Sequence, residues 1–337
     1  MSPLRWALLA LLTTVFVTGC GGPTKTRLVV ASAHGVDLLA EAERTFESAH
    51  PDVDVVGLYL GSNEILERLR AGKANPSIHV VWGADAVTLD TAAAENLLAP
   101  YRPTWATPEH PRGPGDLWWG VYELPMVIGF NPKLATKETC PKTFAELGDP
   151  KFAGRLVLRD PAASGSMRTW LGTLVASAPS EDDGFALLRA IDANTRSWEG
   201  SPEILFERLE SGPAAFTVWN LTDLVFQKRT KGYTFVASGL SCDVPVVLDG
   251  VALVAGSGER KDAAAFFEHV TSLEALEQAA RSHARIPVRS DFPKSKLDPD
   301  VAAVAFTRAS VGRDVLAGSI RKWLRRFEDE VRGRSKK

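Results

Sequence analysis

What this chain lacks narrows its function before any motif is read. Cysteine is scarce: three in 337 residues, of which Cys140 and Cys242 fall in the body of the chain. Their spacing does not show whether their Cα atoms come within bridging distance, so a disulfide between them is left open. Charge of one sign is lacking too: 39 Lys and Arg face 41 Asp and Glu, a formal net charge of −2. No basic field of the kind that wraps nucleic acid is present, and no nucleic-acid partner is expected. There is no G-x-S-x-G elbow, no H-E-x-x-H, no Walker A and no G-x-G-x-x-G. The six histidines are scattered without i, i+4 metal spacing. No metal, cofactor or catalytic residue is therefore assigned. A catalytic set assembled only in space would leave no such mark, which keeps a secreted hydrolase as the lesser alternative.

A long hydrophobic run is also missing. The most apolar stretch, Trp6 to Thr18, is too short to span a bilayer comfortably. It follows the basic residue Arg5 and precedes Gly19, Cys20, Gly21 and Gly22, the pattern of a secretory signal over 1–19. Val17-Thr18-Gly19-Cys20 resembles a bacterial lipobox, which implies acylation of Cys20 and cleavage before it. Two or more acyl chains make a stable anchor. The expected location is exported, periplasmic or cell-surface, with residues 20–26 as a lipidated tether.

What is present is a globular body. Hydrophobic residues are 45% and charged residues 24%, and the length suits about two domains. Strand-like runs alternate with helix-like ones: RLVVAS at Arg27–Ser32, a helix through Leu39, Ala42 and Phe46, a strand at Val53–Leu60, a helix through Ile65, Leu66 and Leu69, and a strand at Ile78–Trp82. Such alternation predicts an α/β fold with mostly parallel sheets flanked by helices. Ligands then sit beyond the carboxyl ends of the strands. Those ends carry Ser32 and His34, Gly61 and Ser62, and Trp82 and Asp85. Two long apolar stretches, Val121–Asn131 and Val244–Val254, read as crossings between two lobes. The expected division is 27–125 plus 247–337 for lobe I and 126–246 for lobe II, with a hinged cleft between them.

The central stretch is Asp160–Trp170, DPAASGSMRTW. It reads as a strand end, a tight turn of small residues and a helix. Ser164, Gly165 and Ser166 fall at the helix N-terminus, where free backbone N–H groups and the helix dipole favour an anionic or polar group. An ordinary serine N-cap is the plainer reading. Arg159 and Arg168 flank this turn; each could pair bidentately with phosphate or carboxylate, and a solvated face is the plainer reading, while Asp249–Gly250 reads as hinge geometry. The basic tail from Arg321 reads as a solvated helix face, with anionic lipid as the alternative.

The blocks VVASAHGVDLLAEAERTFESAHPDVDV, ERLRAGKANPSIHVVWGADAVTLDTAAAENLLAPY, FAELGDPKFAGRLVLRDPAASGSMRTWLGTLV and PVVLDGVALVAGSGERKDAAAFFEHVTSLEALEQAA resemble the type II periplasmic solute-binding proteins of bacterial ABC transporters. The closest branch is the one with ferric-iron, thiamine, phosphonate and sugar-phosphate binders. The resemblance covers about residues 27–292. It implies a two-lobed fold with two hinge crossings, and capture of a small-molecule ligand for a permease and ATPase by a monomer that is not an enzyme. The ligand positions it implies are Ser32, His34, Gly61, Ser62, Trp82, Asp85, Ser164, Gly165, Ser166, Trp219, Asn220 and Asp223. Ferric-iron members present adjacent tyrosines from the second lobe. Here TVWNLTDL has none, which favours a phosphonate, phosphorylated or carboxylate solute over iron held by other ligands. A thiamine-like cation between Trp82 and Trp219 and a ligand sensor for a signalling receptor are further alternatives.

Overall fold

The computed structural model describes residues 25–333. The signal segment, the lipobox and Cys20 lie outside the described residues. Of the expected tether only Lys25 and Thr26 are described, and Thr26 already begins the first strand.

The first part of the chain runs β1 (Thr26–Ser32), α1 (Val36–Ala49), β2 (Val53–Tyr59), α2 (Ser62–Ala71), β3 (Val80–Asp85), α3 (Ala86–Ala94), β4 (Leu98–Ala99) and β5 (Trp119–Phe130). The middle part runs β6 (Leu156–Arg159), α4 (Gly165–Ser177), α5 (Glu181–Asn194), β7 (Thr195–Glu199), α6 (Pro202–Ser211), β8 (Phe216–Asn220), α7 (Leu221–Lys231), β9 (Val236–Ser238) and β10 (Asp243–Val244). The last part holds β11 (Val246–Val254), α8 (Lys261–Thr271), α9 (Leu273–His283), β12 (Ile286–Pro287), α10 (Pro299–Ala302), β13 (Thr307–Arg308) and α11 (Arg313–Arg326).

Local sequence explains these elements. α1 buries Leu38, Leu39, Ala42 and Phe46, an i, i+3, i+4 stripe over the sheet. Ser164, Ser180, Ser201 and Asn220 each accept a backbone N–H at the start of α4, α5, α6 and α7. β3 is buried along its whole length, as expected of a strand covered on both faces.

β1 pairs in parallel with β2 and β3, and β6 pairs in parallel with β7 and β8. These two parallel sets form the lobes. They are joined by strands that run against them. β11 is antiparallel to β3 and β5. β5 pairs with β11 and β12 through Trp119–Pro125, then with β8 and β9 through Met126–Phe130. One strand thus belongs to both lobes. Two apolar layers cover the first lobe's sheet, and a third fills the second lobe.

The final helix departs from its expected grouping with lobe I. Leu316, Ile320, Trp323, Phe327 and Val331 join the apolar core of the second lobe. α11 packs on α4, where a Cβ on Gly172 would meet Leu316 at 2.9 Å. Its basic face is paired rather than simply solvated: Lys322 bonds Glu181, Arg326 bonds Asp182 and Glu330, and Arg321 approaches Glu95 of the first lobe at 3.8 Å. The stripe requires burial, and the fit of Leu316, Ile320 and Trp323 against Gly172 of α4 decides the lobe. Cys140 is buried and Cys242 half-buried, and both are free thiols. Among the described residues no helix is long and apolar enough to cross a membrane.

Because Phe327 is fully buried and Val315 on α11 is 45% exposed, the two should differ sharply as alanine variants. Phe327→Ala is expected to cost about 3–5 kcal/mol in urea unfolding, and Val315→Ala to stay within about 0.5 kcal/mol. Equal, small effects would mean that the helix contributes little to the second lobe.

Candidate functional site

The carboxyl ends of β1, β2 and β3 face those of β6 and β8 across a cleft of about 710 Å³. The turn after β1 brings His34 to its floor. The Ser32 hydroxyl accepts the His34 backbone N–H at 3.2 Å and holds that turn. Gly83 has φ +91° and lies directly beneath the imidazole, where any Cβ would collide with the ring. His34 is therefore packed down rather than solvent-exposed. Its ring stands edge-on to Trp82 at 4.6 Å and to Tyr122 at 5.4 Å.

Asp249, on β11, lies beside it and is only 1% exposed. Its Oδ1 accepts the Tyr122 N–H at 3.1 Å, and its Oδ2 is 3.7 Å from His34 Nδ1. Burial raises the Asp249 carboxyl to about 8, against the opposing influence of Arg285. Burial lowers His34 well below its ordinary value, and Arg285 adds to that. At neutral pH the pair is an acid with its proton on, next to a neutral imidazole.

The lobes meet on either side of this floor. Arg168, on α4, donates to Thr88 at 2.9 Å and to Asp85 at 3.4 Å across the cleft. A Cβ on Gly165 would collide with the Asp85 carboxylate, so the Ser164–Ser166 turn abuts the first lobe directly. Ser164 Oγ is occupied as N-cap, accepting from Met167 N at 3.3 Å. On the other side Arg285 donates to Asp223 at 2.9 Å and to Thr222 at 3.2 Å. Asp223 also receives the Trp219 indole N–H at 3.1 Å and the Asn220 amide at 2.8 Å. Asn220 caps α7, accepting from Asp223 N at 2.8 Å.

Of the expected positions, His34, Gly61, Ser62, Asp85, Ser164, Gly165, Ser166, Trp219, Asn220 and Asp223 line this cleft. Ser32 and Trp82 do not. Ser32 is fully buried in the turn it braces. Trp82 is not at a strand end at all, since β3 continues to Asp85, and its ring packs into the first lobe's core toward Phe266 at 6.3 Å. Strand alternation decides this: a three-residue error in the end of β3 moves its side chains to other faces and other depths.

Among the cleft residues not assigned as ligand positions from sequence are Arg159, Asp249, Arg285 and Tyr59. Arg159 and Arg168, expected in solvent, are both 8% exposed. The available signal for Arg159 was its place as the last residue of a buried strand. Asp249 carried one too, as a lone carboxylate inside an apolar crossing. Arg285 carried none.

The cleft leaves buried polar atoms without partners in the protein. His34 Nε2, Asp249 Oδ2, Arg159 Nε and Arg285 Nε are all inaccessible and unbonded, and all four residues line the cleft. Such groups are costly unless something completes them. Among the described residues no cluster of three or more His, Cys, Asp or Glu side chains could hold a metal ion.

The comparisons with known proteins agree with this layout. The family model described as bacterial extracellular solute-binding protein matches residues 28–283. A probable ABC transporter periplasmic-binding protein of Sinorhizobium fredii is 25% identical over 284 residues, covering 82% of this chain and 78% of that protein. Iron uptake protein A1 of Synechocystis is 25% identical over 252 residues, covering 70% and 68%. The periplasmic binding protein AfuA of Actinobacillus pleuropneumoniae, solved with fructose 6-phosphate, superposes with TM-score 0.80 at 21% identity over 92% of this chain and 99% of that one. Iron-bound HitA of Pseudomonas aeruginosa superposes with TM-score 0.78 at 18% identity, covering 89% and 98%. The fold is thus the two-lobed type II periplasmic-binding-protein fold, and the relatives are transport components rather than enzymes. The chain belongs to the bacterial extracellular solute-binding proteins, the exported subunits that bind a small molecule and work with the permease and ATPase of an ABC importer.

Proposed function

We propose that this protein captures a small anionic, hydroxyl-bearing solute, such as a phosphonate, a phosphorylated compound or a carboxylate. It is read as a lipid-anchored monomer, tethered through Cys20. Closure is by hinge motion where the crossings enter the second lobe, at 125/126 and 246/247, so that the lobes are 27–125 plus most of 247–337, and 126–246.

The observation that carries this reading is the set of unpartnered atoms on both sides of one cleft: Arg159 from the second lobe, and Arg285, His34 and Asp249 from the first. Two guanidinium groups suit phosphate or carboxylate. The small-residue turn at Ser164–Ser166 adds the N-terminus of α4. A protonated Asp249 can donate to a ligand oxygen instead of repelling it. Hydroxyl groups on the solute would meet the acceptor side of His34 and Asp249.

The iron reading draws on named relatives such as Iron uptake protein A1 and iron-bound HitA. Tyr59 and Tyr233 are the phenols that line the cleft among the described residues. Burial raises both phenols, and Glu203 near Tyr59 and Glu207 near Tyr233 raise them further. That opposes the phenolate which ferric iron prefers.

Thermal unfolding of the purified protein with fructose 6-phosphate, a phosphonate, thiamine and ferric citrate tests the class. A matched anion at 100 times its Kd should add about 2.7 kcal/mol of stability. A shift with ferric salts alone would overturn the proposal. With a binding anion in hand, Arg159→Ala and Arg285→Ala should each weaken it by about 2 kcal/mol or more, roughly thirtyfold, in titration calorimetry.

Asp249 gives a pH dependence. The folded carboxyl keeps its proton up to about 8 while the unfolded chain loses it near the ordinary carboxylate range. The unfolded state therefore binds fewer protons in that window, and stability falls as pH rises through it. Between pH 7 and 9 the melting temperature of Asp249→Asn should fall less than that of the parent, and its anion affinity should decline less steeply. Parallel profiles would show that Asp249 does not titrate there.

A further inference from the structure

The two lobes also meet outside the cleft, along α3. This first-lobe helix carries three carboxylates five residues apart: Asp85 as its N-cap, Asp90 within it and Glu95 at its C-terminus. Each faces an arginine carried by the second lobe. Arg168 of α4 is 3.4 Å from Asp85, Arg313 of α11 is 3.7 Å from Asp90, and Arg321 of α11 is 3.8 Å from Glu95. At the helical rise, about 15 Å separates the first pair from the last. The pairs become wetter away from the cleft: the arginine side chains are 10%, 41% and 69% exposed in that order.

α11 is held firmly on one side only. Leu316, Ile320 and Trp323 are buried in the second lobe's core, and Lys322 and Arg326 bond Glu181 and Asp182 of α5. Toward the first lobe the apolar packing gives out. A cavity of about 60 Å³ lies among Ala86 and Val87 of α3, Thr169 and Thr173 of α4, and Leu316 of α11. Polar contacts take over beside it. Arg313 donates to the Arg112 carbonyl at 3.2 Å, and its guanidinium lies 4.9 Å from the centre of the Trp118 ring. The Trp118 indole N–H in turn holds Asp90 at 2.9 Å. Glu95 already pairs with Arg70 at 2.6 Å, so Arg321 adds a second cation to a matched carboxylate. Asp90, Glu95, Arg313 and Arg321 do not line the solute cleft. Arg313 and Arg321 also lie beyond residues 28–283, the span matched by the family model.

We propose that these pairs form an ionic seam that holds the lobes together in the absence of solute. Arg313 is its positioning residue: its release from Asp90 and Trp118 lets the first lobe swing away while α11 stays with the second. The two outer pairs are exposed enough to be screened, so ionic strength becomes an input to closure alongside the solute.

Small-angle X-ray scattering of the purified, dialysed protein tests this without any ligand. At low salt the parent's radius of gyration should equal the value calculated from the structure. Raising NaCl from about 20 mM to about 0.5 M should enlarge it. Arg313→Gln and Asp90→Asn should each enlarge it already at low salt, lowering the ratio of closed to open molecules by up to about fivefold, the worth of a part-exposed ion pair. The double variant should open no further than either single one. Lys322→Gln removes the same charge from α11 but breaks a pair within the second lobe, and should leave the radius unchanged. Should Arg313→Gln not fold, the exposed Arg321→Gln carries the same test with a smaller shift in the same direction. A parent already larger than the structure at low salt, arginine variants that do not open, an additive double variant, or equal opening by Lys322→Gln would overturn the proposal.

Discussion

The structure depends on a single strand that keeps hydrogen-bonded partners in two sheets. β5 carries β11 and β12 on its first half and β8 and β9 on its second. The changeover falls between Pro125 and Met126. A strand has only two edges, so changing partners mid-strand forces the two sheets to diverge from that point. The divergence is the cleft. Its floor must then be built from residues near the changeover and from the strand ends that flank it, which is where Asp249, His34, Trp219 and Asn220 lie. Nothing else in the chain has to specify where the ligand space will be.

The same constraint explains the electrostatics. A floor formed where two sheets part is walled by both cores, and charged groups placed there lose their water. Asp249 responds by keeping its proton and His34 by refusing one. Arg159 and Arg285 cannot discharge, so they remain as cations with incomplete bonding. Neutral donors and acceptors beside two permanent cations are the arrangement on which the proposed anion reading rests, with the Asp249–His34 pair as its proposed hydroxyl contact.

Much of this was legible in the sequence. The alternation of strands and helices, the two crossings and the small-residue turn before α4 all have local causes: periodicity, β-branched runs and serine caps. The edge strand β7 was not, because Thr195–Glu199 reads TRSWE, polar and without alternation. Its pairing with β6 supplies what its own side chains do not announce. Trp82 was misplaced because an apolar run does not reveal its last residue, and Arg285 was invisible because its contacts, Thr222 and Asp223, lie more than 60 positions away. Helix α11 shows the same limit. Its stripe predicts burial but does not say against which lobe.

Two kinds of inter-lobe contact are thereby separated. Arg168 with Asp85, and the terminal nitrogen of Arg285 with Asp223, are satisfied between protein groups. They fix how the lobes sit on one another, and a solute that claimed them would have to break bonds already made. Arg159 Nε, His34 Nε2 and Asp249 Oδ2 are satisfied by nothing. These atoms are closed off as the lobes stand, so a solute bonds them only where a side chain shifts to expose them, and a bond gained there forfeits none already made, while the paired arginines set how the lobes sit. The Ser164–Ser166 turn sits at the boundary between the two groups, its hydroxyl committed to the helix and its backbone held against Asp85. Its contribution is a backbone surface at a fixed distance from the floor, which requires glycine at 165 more than it requires serine at 164.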